Sequence, residues 1–437
     1  MDILKKIESK DFTVGIIGLG YVGLPLANAF SQNDINTLGF DINKNQVQLL
    51  NTEKSYLKHI PDLKIAEMKS KGFEATTDFK RISEVEVIII CVPTPLDHHN
   101  EPDLSAIIKT GESIAPYLKK GHLIVLESST YPGTTDEQLA ESLSASNLKK
   151  NIDYYLAYSP EREDPGNKEF STSTIPKIVG ADCPEAEDLV YNLYKLIIDE
   201  VIQVGGTRTA EAVKLTENIF RSVNIALVNE LKTIFEAMDI DVWEVVEGAS
   251  TKPFGFMPFY PGPGLGGHCI PIDPFYLSYK AKEYGLTTRF IELAGEINTN
   301  MPELVINKLI KGMSDHFQKS ISGSRVLVIG IAYKKDIDDM RESPSLVLIE
   351  SLQSKGASVD YHDEFLPEIP HSRDHTSLTG LKSVSLTKEI LSSYDAVLIS
   401  TDHSYISYQE LADNSLLILD TRNVMKDITG QAIIIKG

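Results

Sequence analysis

A chain of 437 residues is long enough for two or three domains, each with its own core. Its 62 acidic residues against 42 basic ones give a net charge of -20, which leaves no basic stripe to track a phosphate backbone and excludes nucleic acid as a partner. The N-terminus shows no basic-then-apolar leader, and the uncharged apolar run Val87 to Val92 is far too short to span a bilayer, so no membrane partner is expected. Cys91, Cys183 and Cys269 lie far apart with no zinc-like spacing, which predicts a cytoplasmic protein with neither disulfide framework nor metal.

In chain order, the first strand is the β-branched run Phe12 to Gly18. Gly18-Leu19-Gly20-Tyr21-Val22-Gly23 follows it directly and fits G-x-G-x-x-G, ahead of a helical run Leu24 to Phe30 and a second strand ending at Asp41. Strand, glycine turn, helix and acid together predict a dinucleotide site. The turn approaches the pyrophosphate, the helix N-terminus faces it and Asp41 takes the ribose hydroxyls. Asp41 would repel a 2′-phosphate, so NAD is expected rather than NADP. Lys44 either adds a phosphate or ribose contact or is a solvated surface lysine.

Further parallel strands are predicted at Val85–Val92, Leu123–Leu126 and Tyr155–Tyr158. The loops after them carry Thr94, Thr130 and Ser159-Pro160-Glu161-Arg162 to the sheet edge where ligands of such folds bind. Thr94 and Thr130 suit the nicotinamide side or a water held there, while Cys91 reads as a packing residue. From Thr207 to about Met238 there is neither proline nor glycine, which predicts a helix of roughly 45 Å that links domains and packs on a second subunit. Lys214 and Asn218 lie one turn apart on it. They form either an oxyanion-stabilising pair or an ordinary exposed pair.

The loop Pro261-Gly262-Pro263-Gly264-Leu265-Gly266-Gly267-His268-Cys269 follows, with Asp273 four positions on. Pro271 suits the first turn of a helix whose positive end would lower the Cys269 thiol pKa; a tight turn with a buried thiol is the other reading. A second set of strands (Arg325–Gly330, Val359–Asp363, Ala396–Ile399, Leu416–Leu419) repeats the texture of the first. The fold class is therefore α/β. Two doubly wound Rossmann-like domains (1–205 and 319–437) are joined by a helical middle domain (206–318) with a long central helix.

These pieces resemble the UDP-glucose/GDP-mannose dehydrogenase family over essentially the full length. The likeness rests on the glycine turn, Val92-Pro93-Thr94-Pro95, Ser129-Thr130, Ser159-Pro160-Glu161, Lys214-x-x-x-Asn218, Gly266-Gly267-His268-Cys269 with Asp273, and Gly330-Ile331-Ala332-Tyr333-Lys334 before Arg341-Glu342-Ser343-Pro344. Thr251-Lys252-Pro253-Phe254-Gly255-Phe256-Met257-Pro258 with the glycine-proline loop looks most like the branch acting on UDP-N-acetylhexosamines, UDP-N-acetylglucosamine 6-dehydrogenases above all.

The resemblance implies oxidation of a sugar C6 alcohol to a carboxylate with two NAD+. Lys214 and Asn218 would steady the C6 oxygen and Cys269 would form a thiohemiacetal and then a thioester. Glu161, Asp273 and a Thr130-positioned water are the candidates for hydrolysis. It further implies NAD contacts by Gly18, Gly20, Tyr21, Val22, Gly23, Asp41, Lys44, Thr94, Thr130 and Arg341. For the UDP-sugar it implies Glu161, Arg162, Lys214, Asn218, Lys252, Tyr260, Gly264, Gly266 and Lys334, with Arg422 a weaker candidate. A homodimer through the central helical domain is expected. Two departures stand out: where UDP-glucose members often carry a second glutamate this chain has Pro165, and where they present a partner arginine it has Lys252.

Overall fold

The computed structural model describes residues 2–437 except 58–59, 98, 100, 163–172, 268–269 and 373. The chain forms two compact units, Met1–Glu217 with Phe275–Thr287, and Asn218–Pro274 with Thr288–Gly437.

The first unit is built on an eight-stranded sheet in the order β3-β2-β1-β4-β5-β6-β7-β8. Its strands are β1 (Thr13–Ile17), β2 (Asn36–Phe40), β3 (Glu74–Thr76), β4 (Val87–Ile90), β5 (Leu123–Leu126), β6 (Tyr155–Tyr158), β7 (Lys177–Ala181) and β8 (Val201–Val204). All neighbours are parallel except β6 and β7. The continuous apolar runs are explained by burial on both faces: every residue of β4 and β5 is buried. Strand order reverses between β1 and β4, which opens a crevice at the carboxyl ends of those two strands.

The second unit carries a five-stranded parallel sheet in the order β10-β9-β11-β12-β13. These strands are β9 (Arg325–Ile329), β10 (Ser358–His362), β11 (Ala396–Ile399), β12 (Leu417–Asp420) and β13 (Ile433–Lys436). Helices Val242–Ser250 and Arg289–Phe317 belong to the same unit.

The long helix spans Thr207–Ala237, 31 residues, and the division between the units falls within it, after Glu217. The helix after the cysteine loop is Asp273–Glu283. Pro271 therefore sits in the turn ahead of that helix, not in its first turn, and the acid at 273 opens the helix instead. Among the described residues no helix is long and apolar enough to cross a membrane.

The two sheets share one local construction. Gly18 donates its N–H to Phe40 at 2.8 Å and Gly330 donates to His362 at 2.9 Å. The next amide, of Leu19 or Ile331, then donates at 2.9 Å to the aspartate closing the neighbouring strand, Asp41 or Asp363. The outcomes differ. Asp363 is buried and also accepts from Ala332 N–H (3.1 Å) and His403 Nε2 (3.0 Å), so its oxygens are consumed within the fold. Asp41 stays partly exposed at its sheet edge.

Candidate functional site

The glycine turn of the first unit is set by sterics. Gly18 has φ +89° and a Cβ there would lie 2.6 Å from the Cys91 carbonyl; a Cβ on Gly23 would lie 1.9 Å from the Gly18 carbonyl. A Cβ on Gly20, by contrast, meets no atom within 4 Å, so nothing inside the protein demands glycine there. The helix Gly23–Gln32 begins after Val22 with no side-chain cap and no acid in its first turn, leaving its positive end open to an anion. Asp41 accepts from Leu19 and Asn43 (2.9 and 2.8 Å), and Tyr56 donates its hydroxyl to the Leu19 carbonyl. An open glycine, an uncapped helix and an anchored carboxylate fit a dinucleotide. Tyr21 and Lys44 are exposed, Lys44 as the first residue of helix Lys44–Asn51.

Beside this turn, Thr94 is buried, donates to the Ser129 carbonyl at 2.8 Å, and has its own carbonyl held by the Tyr276 hydroxyl at 2.7 Å. Thr130 is buried and donates its hydroxyl to Thr134. The segment after Thr130 is tied to the long helix by Glu211, whose carboxylate accepts from Gly133 N–H (2.7 Å), Thr135 N–H (2.9 Å) and Thr135 Oγ1 (2.7 Å). Burial pushes Glu211 up to about 8 in spite of those donors. Burial, then Glu127, raises the Cys91 thiol well above the ordinary range, which disfavours a thiolate there.

Glu161 sits at the end of β6 within a buried charge cluster. Its Oε1 accepts the Arg162 N–H at 2.6 Å, its Oε2 faces Lys177 Nζ at 3.3 Å, and its backbone carbonyl accepts from Lys214 Nζ. Lys177 reaches Glu127 as well, at 3.0 Å, and Tyr194 donates to the other Glu127 oxygen. Burial raises the Glu127 carboxyl; for Lys177 burial opposes the charge, but Glu127 and Glu161 outweigh it and hold the ammonium above its usual pKa. Sequence reading had not singled out Lys177, Glu211 or Tyr194. A lysine at the head of the apolar run Ile178-Val179-Gly180-Ala181 is the signal that could have found the first. Arg162 is engaged inside the unit, donating to both Glu217 oxygens (3.3 and 2.6 Å) and to the Pro176 carbonyl (2.6 Å).

Lys214 and Asn218 are not an exposed pair: they retain 8% and 6% of their accessible surface. In the second unit Asn218 donates its amide to Asp273 at 2.5 Å, and Asp273 is itself buried at the start of its helix.

The glycine-proline loop is gripped from several sides. Gly262 donates to Asn229 at 3.1 Å, and a Cβ there would lie 2.9 Å from the Arg422 guanidinium. Gly264 has φ +142°, and a Cβ on Gly266 would lie 2.6 Å from Tyr333 Cβ. Gly267 donates to the Arg341 carbonyl at 3.0 Å, so the segment carrying Lys334 and Arg341 backs the loop. The Arg341 side chain is chelated by Asp339 at 2.6–3.0 Å. Lys334 is half-buried. Arg422 donates to the Ser400 carbonyl at 2.7 Å. Lys252 is exposed with its ammonium 5.0 Å from the Phe254 ring, and Tyr260 stacks on Trp243 at 5.2 Å. Cys269, His268 and Pro165 lie outside the described residues.

Comparison with known proteins matches three consecutive domains of one family. These are the NAD binding domain of the UDP-glucose/GDP-mannose dehydrogenase family over residues 12–198, its central domain over 208–300, and its UDP binding domain over 327–427. The UDP-N-acetyl-D-glucosamine 6-dehydrogenase of Pseudomonas aeruginosa is 36% identical, over 90% of this chain and 91% of its own. The UDP-N-acetyl-D-mannosamine dehydrogenase of Escherichia coli K12 is 33% identical, over 90% and 94%. Among solved structures, the UDP-D-ManNAc dehydrogenase of Pyrococcus horikoshii superposes with a TM-score of 0.86 at 30% identity, covering 97% of this chain and 98% of that one.

Proposed function

Because the chain belongs to the UDP-glucose/GDP-mannose dehydrogenase family, and so is an NAD-dependent nucleotide-sugar dehydrogenase, we propose that it oxidises the C6 alcohol of a UDP-N-acetylhexosamine, UDP-N-acetylglucosamine first, to the uronic acid. The observation that carries the chemistry is the pair of buried groups one turn apart on a single helix. Lys214 is bound to the backbone of Glu161, and Asn218 is bound to Asp273.

NAD+, when bound, supplies the acceptor for each of two hydride transfers. Gly18, Gly20, Tyr21, Val22, Gly23 and Asp41 hold it, with Lys44, Thr94, Thr130 and Arg341 adding contacts. Residues 1–205 do this work and residues 319–437 take the UDP moiety. Lys334, Lys252, Tyr260, Gly264, Gly266 and Arg162 contribute to the sugar nucleotide. The Lys214 ammonium and the Asn218 amide stabilise negative charge on the C6 oxygen as its proton leaves. The Cys269 thiolate adds to the C6 aldehyde, and the resulting thiohemiacetal is oxidised to a thioester. Water, deprotonated by Glu161 or Asp273 and placed by Thr130, then cleaves it. One alcohol, one water and two NAD+ give one carboxylate, two NADH and three protons.

The N-acetylglucosamine assignment rests on the 36% identity to the Pseudomonas enzyme. The mannosamine epimer is favoured instead by the Pyrococcus superposition. Incubating the protein with NAD+ and each of UDP-N-acetylglucosamine, UDP-N-acetylmannosamine, UDP-N-acetylgalactosamine and UDP-glucose decides between them. Two NADH per sugar, with kcat/KM highest for the glucosamine, is the expected result. One NADH per sugar would remove the thioester route.

A homodimer through the helical middle (206–318) is part of the same reading. Phe220, Leu227 and Ile234 recur every seven residues along the long helix and are 48%, 49% and 47% exposed, an apolar stripe suited to a second copy. Light scattering of Leu227→Glu against the parent protein tests it, with loss of the dimer expected.

A further inference from the structure

A carboxylate that must take a proton from water has to be ionised and aimed, and the groups that aim Glu161 lie behind it in the sheet. Lys177 is the first residue of β7, which runs antiparallel to β6, the strand that delivers Ser159-Pro160-Glu161. Its side chain retains 6% of its accessible surface, against 17% for Glu161 and none for Glu127. An ammonium this deep is tolerated only when paired, and here both partners are carboxylates, at 3.0 and 3.3 Å. Tyr194 closes the back of the cluster: its hydroxyl donates to Glu127, and its ring lies 5.2 Å from the lysine nitrogen.

We propose that Lys177 is a positioning residue for Glu161: it divides one buried ammonium between Glu127 and Glu161, fixing the Glu161 carboxylate and keeping it ionised for proton transfer. The inference rests on the reading of Glu161 as a participant in thioester hydrolysis. The neighbouring groups do different work. Arg162 offers Glu161 its backbone N–H while its guanidinium is spent on Glu217. Lys214 binds the Glu161 carbonyl and not its carboxylate. The thiol of Cys91 is held neutral by burial, and so is the phenol of Tyr194. Glu127, the other charge in the cluster, repels a charged Glu161, and Lys177, bound to both, offsets that repulsion.

The pH dependence of kcat reads this directly. In Lys177→Met the acidic limb of the profile should move up by about one pH unit or more, with KM for NAD+ and UDP-sugar within about threefold of the parent. Lys177→Arg should restore the limb. Glu127→Gln, which leaves the whole ammonium to Glu161, should move the limb down. The last variant keeps the test decisive if Lys177→Met does not fold. A uniform fall in kcat with an unmoved limb in both Lys177→Met and Glu127→Gln would overturn the proposal. Glu161→Gln separates the two ideas. If it still releases uronate at the parent rate, the role of Glu161 is wrong; if it is dead while the limb in the other variants stays fixed, only the positioning by Lys177 is wrong.

Discussion

Asn229 accepts the backbone N–H of Gly262 at 3.1 Å, while its own amide donates to Asn298 at 3.0 Å and Asn298 donates to the Ser222 carbonyl at 3.1 Å. Flanked by two prolines, Gly262 carries the lone N–H of Pro261-Gly262-Pro263, so this chain of buried amides is how the run is pinned to the helices beneath it. Asn229→Ala leaves that N–H and the Asn298 oxygen without partners, at a cost of about 1–3 kcal/mol. The expected outcome is a lower melting temperature and a UDP-sugar KM raised about tenfold, with KM for NAD+ unchanged. Parallel initial-rate series in the two substrates check it; equal changes in both KM values would show that the loop is not specific to the sugar.

Two glycines of the nucleotide turn should respond differently to the same methyl group. In Gly23→Ala the new Cβ falls 1.9 Å from the Gly18 carbonyl, a backbone atom that cannot swing away, so the turn itself must be rebuilt. In Gly20→Ala it meets no protein atom within 4 Å. Gly23→Ala should therefore lose both stability and cofactor binding. Gly20→Ala should melt like the parent protein yet bind NAD+ at least about tenfold more weakly, if the open space it fills is, as proposed, the pyrophosphate's. Thermal melts paired with NAD+ titration by intrinsic fluorescence distinguish the two cases.

Much of this was legible in the sequence because the physics is written in residue type. Only glycine suits the φ +89° of Gly18 and the contact at Gly23, and strands buried on both faces, such as Val87–Ile90, must be apolar throughout. What escaped was whatever depends on partners distant in sequence. β3 has three residues, β8 is a partly exposed edge interrupted by Gln203, and β13 is a partly exposed edge of only four residues. Their character comes from the neighbour they pair with. Lys177 reads as a charge in a short run until β6 and β5 bring Glu161 and Glu127 to it. The ion-pair partner of Arg162, Glu217, lies 55 residues away and cannot be read from its own segment. Lys214 and Asn218 gave the right spacing but not their burial, since a helix shows its faces in sequence and not what covers them.

Lys232 gives a pH prediction of definite sign. It lies one turn beyond Asn229 on the long helix, 7% exposed, and burial, then Lys308, push it down to about 7 from 10.5. Glu236 and Asp420 favour its charge, but Glu236 is paired with Lys308 at 2.6 Å, and Arg422 opposes it. Between about pH 7 and 10 the unfolded chain holds a proton on this lysine that the folded chain has released, so stability from this group rises with pH. Its full cost, an upper bound of several kcal/mol, is felt at and below about pH 7. Lys232→Met should raise the melting temperature at pH 6.5 and give a much smaller gain at pH 10. Melts of both proteins across that range decide the matter; a constant difference would mean that the lysine stays charged in the fold.

The Asn218–Asp273 contact makes the sharpest kinetic prediction. The amide nitrogen of Asn218 donates at 2.5 Å to a carboxylate that is 1% exposed and opens a helix, where the helix dipole favours negative charge. If Asp273 serves the first oxidation by orienting Asn218, removing either partner removes one function. Asn218→Ala should lower kcat by about 10²–10³, the range for losing one oxyanion donor. Asp273→Ala should cost at least as much, because it leaves the Asn218 amide free to rotate and also takes away a candidate base. The double variant should then be little worse than Asp273→Ala, with a coupling of at least about tenfold between the sites. Multiplying effects would instead assign the two residues to separate steps, Asn218 to hydride transfer and Asp273 to hydrolysis. Single-turnover measurements starting from the C6 alcohol and from the C6 aldehyde would show which step each one limits.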